Sequence, residues 1–248
     1  MSVLLEAFPW LGIRDPVSMT THLLGAVLAL AALVPLVRRA RCRGRDGWAQ
    51  GSLIVYGVSM AAAFAASALF HLFDRPAEHL VLLKKLDHAA IFLLIGGTGT
   101  AVYGALNLPR RLKASYIAGL WLITLGGLTV KMVVWPMPLW LTALTYLSVG
   151  WVAAAGLILA AGENGWASLR LFLYGALVLS IGAVVFAAEW PVVWPGIVEG
   201  HEVFHLLVLA GVGLHYAYIY ARCTVPTTYD GVPDVAAAPI PAPVPAES

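Results

Sequence analysis

Apolar residues run through the chain in seven blocks, roughly 18–37, 51–73, 86–107, 115–134, 138–161, 169–189 and 199–221. Each is about 20 residues long, the length a helix needs to cross a bilayer core. Breakers separate them: Arg43-Gly44-Arg45-Asp46-Gly47, Leu108-Pro109-Arg110-Arg111, Trp135-Pro136-Met137-Pro138, Gly162-Glu163-Asn164-Gly165, and Trp190 to Gly196 with its prolines. The pattern predicts an all-α membrane protein, a bundle of seven transmembrane helices spanning 18–221. Asp15-Pro16 starts the first helix, with Pro suited to the first turn. Residues 1–17, with Pro9, Trp10 and Pro16, form an interfacial lead-in. Residues 222–248, rich in Pro and Ala, form a disordered tail. Trp48, Trp135, Trp140, Trp166, Trp190 and Trp194 lie near the proposed ends, as an aromatic belt would. Gly96-Gly97-Thr98-Gly99 and Gly126-Gly127 are expected to let helices approach closely.

Composition agrees. The chain is 60% hydrophobic and 11% charged, with mean hydropathy +0.84, which excludes a soluble domain. A net charge of +2 gives no reason to expect a nucleic-acid partner. The expected partner is a membrane lipid, as substrate or ligand. The N-terminus lacks the pattern of a cleaved signal peptide, so the first apolar block is expected to stay. Cys42 and Cys223 form no CxxC pair, which disfavours a thiolate metal site or a disulfide framework. With seven spans, five Lys and Arg fall on the N-terminal face of the membrane and ten on the opposite face. The positive-inside rule then puts the N-terminus outside and the C-terminus in the cytoplasm.

Chemistry concentrates at one end. The last block opens Gly200-His201-Glu202-Val203-Phe204-His205, with two histidines four residues apart on one helix face. Such residues are costly in a membrane unless something satisfies them, and a divalent metal does so. The seven-span count brings the end of the second span (Ser67 to His71) and the start of the third (Asp87, His88) to the same depth as His201 and His205. Three neutral imidazoles, His71, His201 and His205, make a Zn2+ site with an open position, the catalytic arrangement. Asp87 could serve as general base and Ser67, one turn deeper than His71, could hold water. His22 is a candidate outer-shell partner. His88 points about 100° away from Asp87 around the helix and is expected to pack or to face the interface. His79 is placed in a solvated loop, His215 among bundle hydrogen bonds, and Lys131 is expected to snorkel to the interface.

These motifs, Thr21-His22-Leu23-Leu24-Gly25, Ser67-Ala68-Leu69-Phe70-His71, Leu86-Asp87-His88-Ala89-Ala90-Ile91-Phe92 and His201-Glu202-Val203-Phe204-His205, resemble those of the hemolysin III proteins. Those proteins belong to the progestin and adipoQ receptor family, related to the alkaline ceramidase superfamily of membrane hydrolases. The resemblance covers about 15–222. It implies seven helices around zinc held by His71, His201 and His205, with Asp87 and Ser67 near the zinc-bound water. Gly99-Thr100-Ala101 departs from the aromatic residue, Thr and Pro common there. The family's eukaryotic receptors are thought to carry the N-terminus in the cytoplasm; the charge count of this chain favours the reverse. The function expected is a zinc-dependent hydrolase of a lipid amide or ester, ceramidase-like. The alternatives are a receptor or membrane-state sensor with structural zinc, or a cytolysin. Against a pore stands the lack of a spare amphipathic helix.

Overall fold

The computed structural model describes residues 13–72 and 77–227. Most of the predicted lead-in 1–17, and the tail from 228 onward, lie outside the described residues. The elements are α1 Pro16–Cys42, α2 Gly47–Leu72, α3 Ala77–Ala105, α4 Arg110–Val133, α5 Leu139–Ala153, α6 Gly156–Asn164, a 3-10 turn Trp166–Leu169, α7 Arg170–Ala188 and α8 Gly200–Arg222. No strand occurs among the described residues; Trp194 and Val198 form an isolated bridge in the loop before α8. Among the described residues, six helical stretches are long and apolar enough to cross a membrane by length and composition: α1, α2, α4, α5 with α6, the 3-10 turn with α7, and α8. The chain is an integral membrane protein.

The helices close a ring. Each of α1 to α4 packs on the next, α5 packs on α7, α7 on α8, and α8 returns to α1. α3 also touches α5, α6 and α8, and so sits innermost. The outer surface of α1 carries Leu23, Leu24, Val27, Leu28 and Leu30, all exposed. In water such a patch would drive association, whereas in a bilayer lipid tails cover it. The inside is small-residue packing around Tyr56, Phe64, Phe92 and Leu120. Gly97 illustrates the close approach: a Cβ there would lie 2.6 Å from the Ser59 side chain and 3.3 Å from the Tyr56 backbone. α2 and α3 therefore touch nearly backbone to backbone, as expected for the glycine cluster.

Two boundaries differ from the sequence expectation. α3 starts at Ala77, nine residues before the predicted 86, so His79 is an exposed helical residue rather than a loop residue. The predicted fifth span is broken at Ala154-Ala155 into α5 and α6. There the Leu157 N–H donates to Ala154 O at 2.8 Å and the Ile158 N–H to Ala155 O at 3.1 Å, the i→i−3 bonds of a tightened turn. The Tyr103 hydroxyl donates to Ala153 O at 3.4 Å, and a Cβ on Gly156 would come within 2.5 Å of the Tyr103 ring. A side chain from α3 thus sits against the break.

The two ends of the bundle are fastened differently. At the end opposite the N-terminus, Arg45 donates to Val225 O at 2.7 Å and to Gly104 O at 3.1 Å. Lys113 donates to the same Gly104 carbonyl, and Arg39 donates to Thr224 Oγ1. Packing therefore continues past Arg222, with Cys223 and Thr224 buried.

Candidate metal centre

The N-terminal end gathers histidines from three helices. α8 begins with a reciprocal cap: the Glu199 side chain accepts from the N–H of Glu202, and the Glu202 side chain accepts from the N–H of Glu199. Ser18 of α1 donates to Glu202 Oε1 at 3.2 Å. This fixes the first turn of α8 and with it the directions of His201 and His205, one turn apart. His71 lies in the last turn of α2. The Nε2 atoms of His201 and His71 are 3.3 Å apart, and those of His205 and His201 are 2.9 Å apart. One ligand nitrogen from each of the three rings falls within 4.8 Å of the others.

The outward-facing nitrogens of two rings are engaged. His71 Nδ1 lies 2.8 Å from Asp15 Oδ2, so its N–H donates to the carboxylate. His205 Nδ1 lies 2.8 Å from His22 Nε2. Protons placed on Nδ1 in both rings leave the Nε2 lone pairs of His71 and His205 directed at His201 Nε2, which can donate to only one of them. A cation among the three nitrogens would satisfy all of them at once. Nitrogen ligands of tetrahedral zinc at about 2.0–2.1 Å stand roughly 3.3 Å apart, close to the separations seen here. The donor set therefore fits a metal ion, and histidine nitrogens suit zinc among the common divalent ions.

Each residue expected from the sequence has a definite place. His71, His201 and His205 come together. His22, buried at 4% exposure, holds the far nitrogen of His205. The Asp87 carboxyl is buried on α3, near enough to His71 and Ser67 to interact with both, but it makes no direct hydrogen bond to the three rings. Ser67 Oγ is buried and has no aligned hydrogen-bond partner. That orphaned hydroxyl faces Asp87 beside the histidines, where a water would satisfy it. His215 is deeper, donating from Nε2 to Phe172 O at 3.1 Å, and takes no part. His88 packs edge-on against Trp135. Lys131 does not snorkel: it is 1% exposed and its Nζ donates to Thr142 Oγ1 at 2.6 Å.

Sequence reasoning missed Asp15. Its position before Pro16 marks it only as a helix start, yet its side chain makes no capping bond to α1. Its backbone N–H donates to His71 O at 3.1 Å, and Arg14 Nε donates to its Oδ2 at 2.8 Å while the guanidinium covers the Phe70 ring at 4.1 Å. Burial alone would raise the Asp15 pKa, but the hydrogen bonds from His71 and Arg14 outweigh it and hold the group at about 2. A charged carboxylate at this place orients the His71 ring and raises its basicity. The signal available was an acidic residue at the membrane face where the histidines cluster.

Similarity to known proteins identifies the family. The family described as Haemolysin-III related matches residues 12–216. The chain is 30% identical over 191 residues to Hemolysin-3 of Bacillus cereus, covering 77% of this chain and 83% of that one. It is 27% identical over 204 residues to the Hemolysin-3 homolog of Bacillus subtilis, covering 82% and 91%. It is 26% identical over 236 residues to the adiponectin receptor protein of Drosophila melanogaster, covering 83% of this chain and 52% of the receptor. By the extent of that match, the chain belongs to the haemolysin III-related family, with the adiponectin receptor among its more distant kin.

Proposed function

We propose that this protein is a zinc-dependent membrane hydrolase of a lipid amide or ester bond. The observation that carries the proposal is the convergence of three Nε2 atoms with a buried carboxyl nearby. His71, His201 and His205 hold the zinc, oriented by Asp15 and His22. Zinc bound there supplies the Lewis acidity that makes water nucleophilic near neutral pH and polarises a carbonyl. Asp87 accepts the proton of the attacking water and returns it to the leaving group. Ser67 positions that water through its otherwise unpartnered hydroxyl. The cavity, with an empty volume of about 1090 Å³ including its open mouth, is lined by Ile91, Leu94, Leu179, Val208 and Phe204. The Phe204 ring lies 5.4 Å from the His205 ring, so the space suited to an acyl chain adjoins the metal site.

In this reading α3 also crosses the bilayer and α5 with α6 forms one span, giving seven. The N-terminus lies outside the bacterial plasma membrane.

A receptor or sensor role in which zinc only joins helices is the rival reading. It is favoured by the placement of the ligands on two helices from opposite ends of the chain. The test is metal analysis of the purified protein followed by lipid hydrolysis, parent beside Asp87→Asn, with folding matched. About one zinc per chain and a loss of roughly 10²–10⁴-fold in turnover by the variant is the expected result. Equal turnover removes the role given to Asp87; no turnover by either protein on a broad lipid panel favours the rival.

A further inference from the structure

A second polar cluster lies on the N-terminal face, apart from the histidine ligands. Lys131, in the last turn of α4, is buried between helices. Its Nζ has the Thr142 hydroxyl as hydrogen-bond partner and lies 5.1 Å from the Trp135 ring centre. Lys85 Nζ approaches the same ring at 5.3 Å. Among the described residues no carboxylate lies within 4 Å of Lys131, Lys84 or Lys85. The charged group whose field bears on Lys131 is Lys84, of like sign, and the Asp87 carboxylate lies within electrostatic reach of Tyr146. Thr142 belongs to the first turn of α5, a 15-residue helix whose positive dipole end faces this cluster.

Two further polar atoms point in without partners. His88 lies edge-on to Trp135 at 5.7 Å and to Tyr146 at 6.3 Å between ring centres. His88 Nδ1 and the Tyr146 hydroxyl are both buried and have no hydrogen-bond partner. A buried ammonium without a counter-charge is costly, and unsatisfied buried donors add to the cost. An ammonium, a helix N-terminus, an imidazole and a phenol together are what a single oxyanion would satisfy. Tyr146 also lines the apolar cavity, together with Ile91 and Leu147. A head bound at Lys131 would therefore have space for its chain, and Trp135 with Lys85 places the cluster at headgroup level.

We propose that Lys131, His88, Thr142 and Tyr146 form a second site that binds the oxyanion headgroup, carboxylate or phosphate, of an anionic lipid. The site needs no metal, and it shares the apolar cavity with the acyl space of the hydrolase reading.

The test uses the full chain, purified in neutral detergent, with phosphatidylglycerol, oleate and inorganic phosphate as separate probes and phosphatidylcholine as reference. Binding is read by native mass spectrometry and by the thermal shift each probe gives. The parent should retain phosphatidylglycerol or oleate over phosphatidylcholine, and Lys131→Met should weaken that retention by roughly tenfold or more with metal content unchanged. Without lipid, Lys131→Met should melt no lower than the parent, because an unpaired buried charge has been removed. His88→Phe, which keeps the packing against Trp135, is the second variant and should weaken retention several-fold. Equal retention by the parent and both variants would overturn the site. Protection by inorganic phosphate matching that of the lipids would overturn the assignment to a lipid headgroup.

Discussion

The two ends of this bundle both bury charge, and they use it in opposite ways. At the end opposite the N-terminus, Arg45 and Lys113 are buried with their donors turned onto backbone carbonyls, including the shared Gly104 oxygen. Those contacts tie loops and the residues after α8 to the helix ends. At the N-terminal end, nitrogens face nitrogens, Ser67 and Tyr146 hydroxyls lack partners, and Lys131 has one hydroxyl for company. A donor satisfied by a carbonyl is a fastening. Nitrogens held face to face across three rings can be satisfied together by a cation between them. Burial of polar atoms is thus the same at both ends, and what separates structure from site is whether the partners are complementary.

The largest effect expected on that contrast is on metal content. His71→Ala or His205→Ala should reduce bound metal from about one per chain to near zero, measured by elemental analysis, while His215→Ala leaves it in place. Metal retained in full by His205→Ala would break the distinction drawn above. Asp15→Asn should keep the metal at saturation but weaken its affinity by roughly 10–100-fold in a chelator competition, because the carboxylate orients the His71 ring. At the other end, Arg45→Met should leave metal affinity unchanged and lower stability by about 2–3 kcal/mol, since it removes charge-assisted bonds to buried carbonyls. A denaturation series with metal content read in parallel checks both halves.

Thiol reactivity sharpens the contrast further. Burial pushes the Cys223 thiol up to about 12, so between pH 7 and 9 it stays protonated and shielded, whereas Cys42 is exposed. Maleimide should label Cys42 quickly in detergent, and Cys223 only after unfolding. In sealed cells an impermeant maleimide should leave Cys42 unmodified, given a cytoplasmic location; rapid labelling there would reverse the proposed orientation. Only Cys42 can report it. The smallest effect belongs to the Arg110–Asp46 pair, 2.9 Å apart at the surface. Burial would raise the Asp46 pKa, but the Ala49 N–H and Arg110 outweigh it and lower it. Its contribution is therefore present above the ordinary carboxylate range and lost as pH falls through the lowered value. Arg110→Ala should cost less than about 1 kcal/mol in thermal unfolding at neutral pH.

Much of the ligand geometry was legible because one rule, helical spacing at a common membrane depth, sufficed for His71, His201 and His205. His22 was legible by depth alone, although not its contact with His205. What the rule could not reach was anything set by tertiary partners. Asp15 looks like a capping residue from the order of the chain, and only the approach of α2 turns it to His71. Ala153-Ala154-Ala155 looks like unbroken helix, and the break is associated with Tyr103 from another helix. Lys131 lies at a helix end where snorkelling is the local expectation, but Thr142 on α5 draws it inward. In each case local propensity was overruled by a side chain distant in sequence.

The joining of His22 to His205, across 183 positions of sequence, has a consequence for biogenesis. α1 and α2 enter the membrane early in synthesis, carrying Asp15, His22 and His71, but the remaining ligands arrive only with the final helix. The centre therefore closes after the rest of the chain is made, and a translation product truncated before α8 cannot acquire it. Were a metal bound there, its loss would leave α2 and α8 without their shared ligand set, while the contacts of His22 and Ser18 still joined α1 to α8.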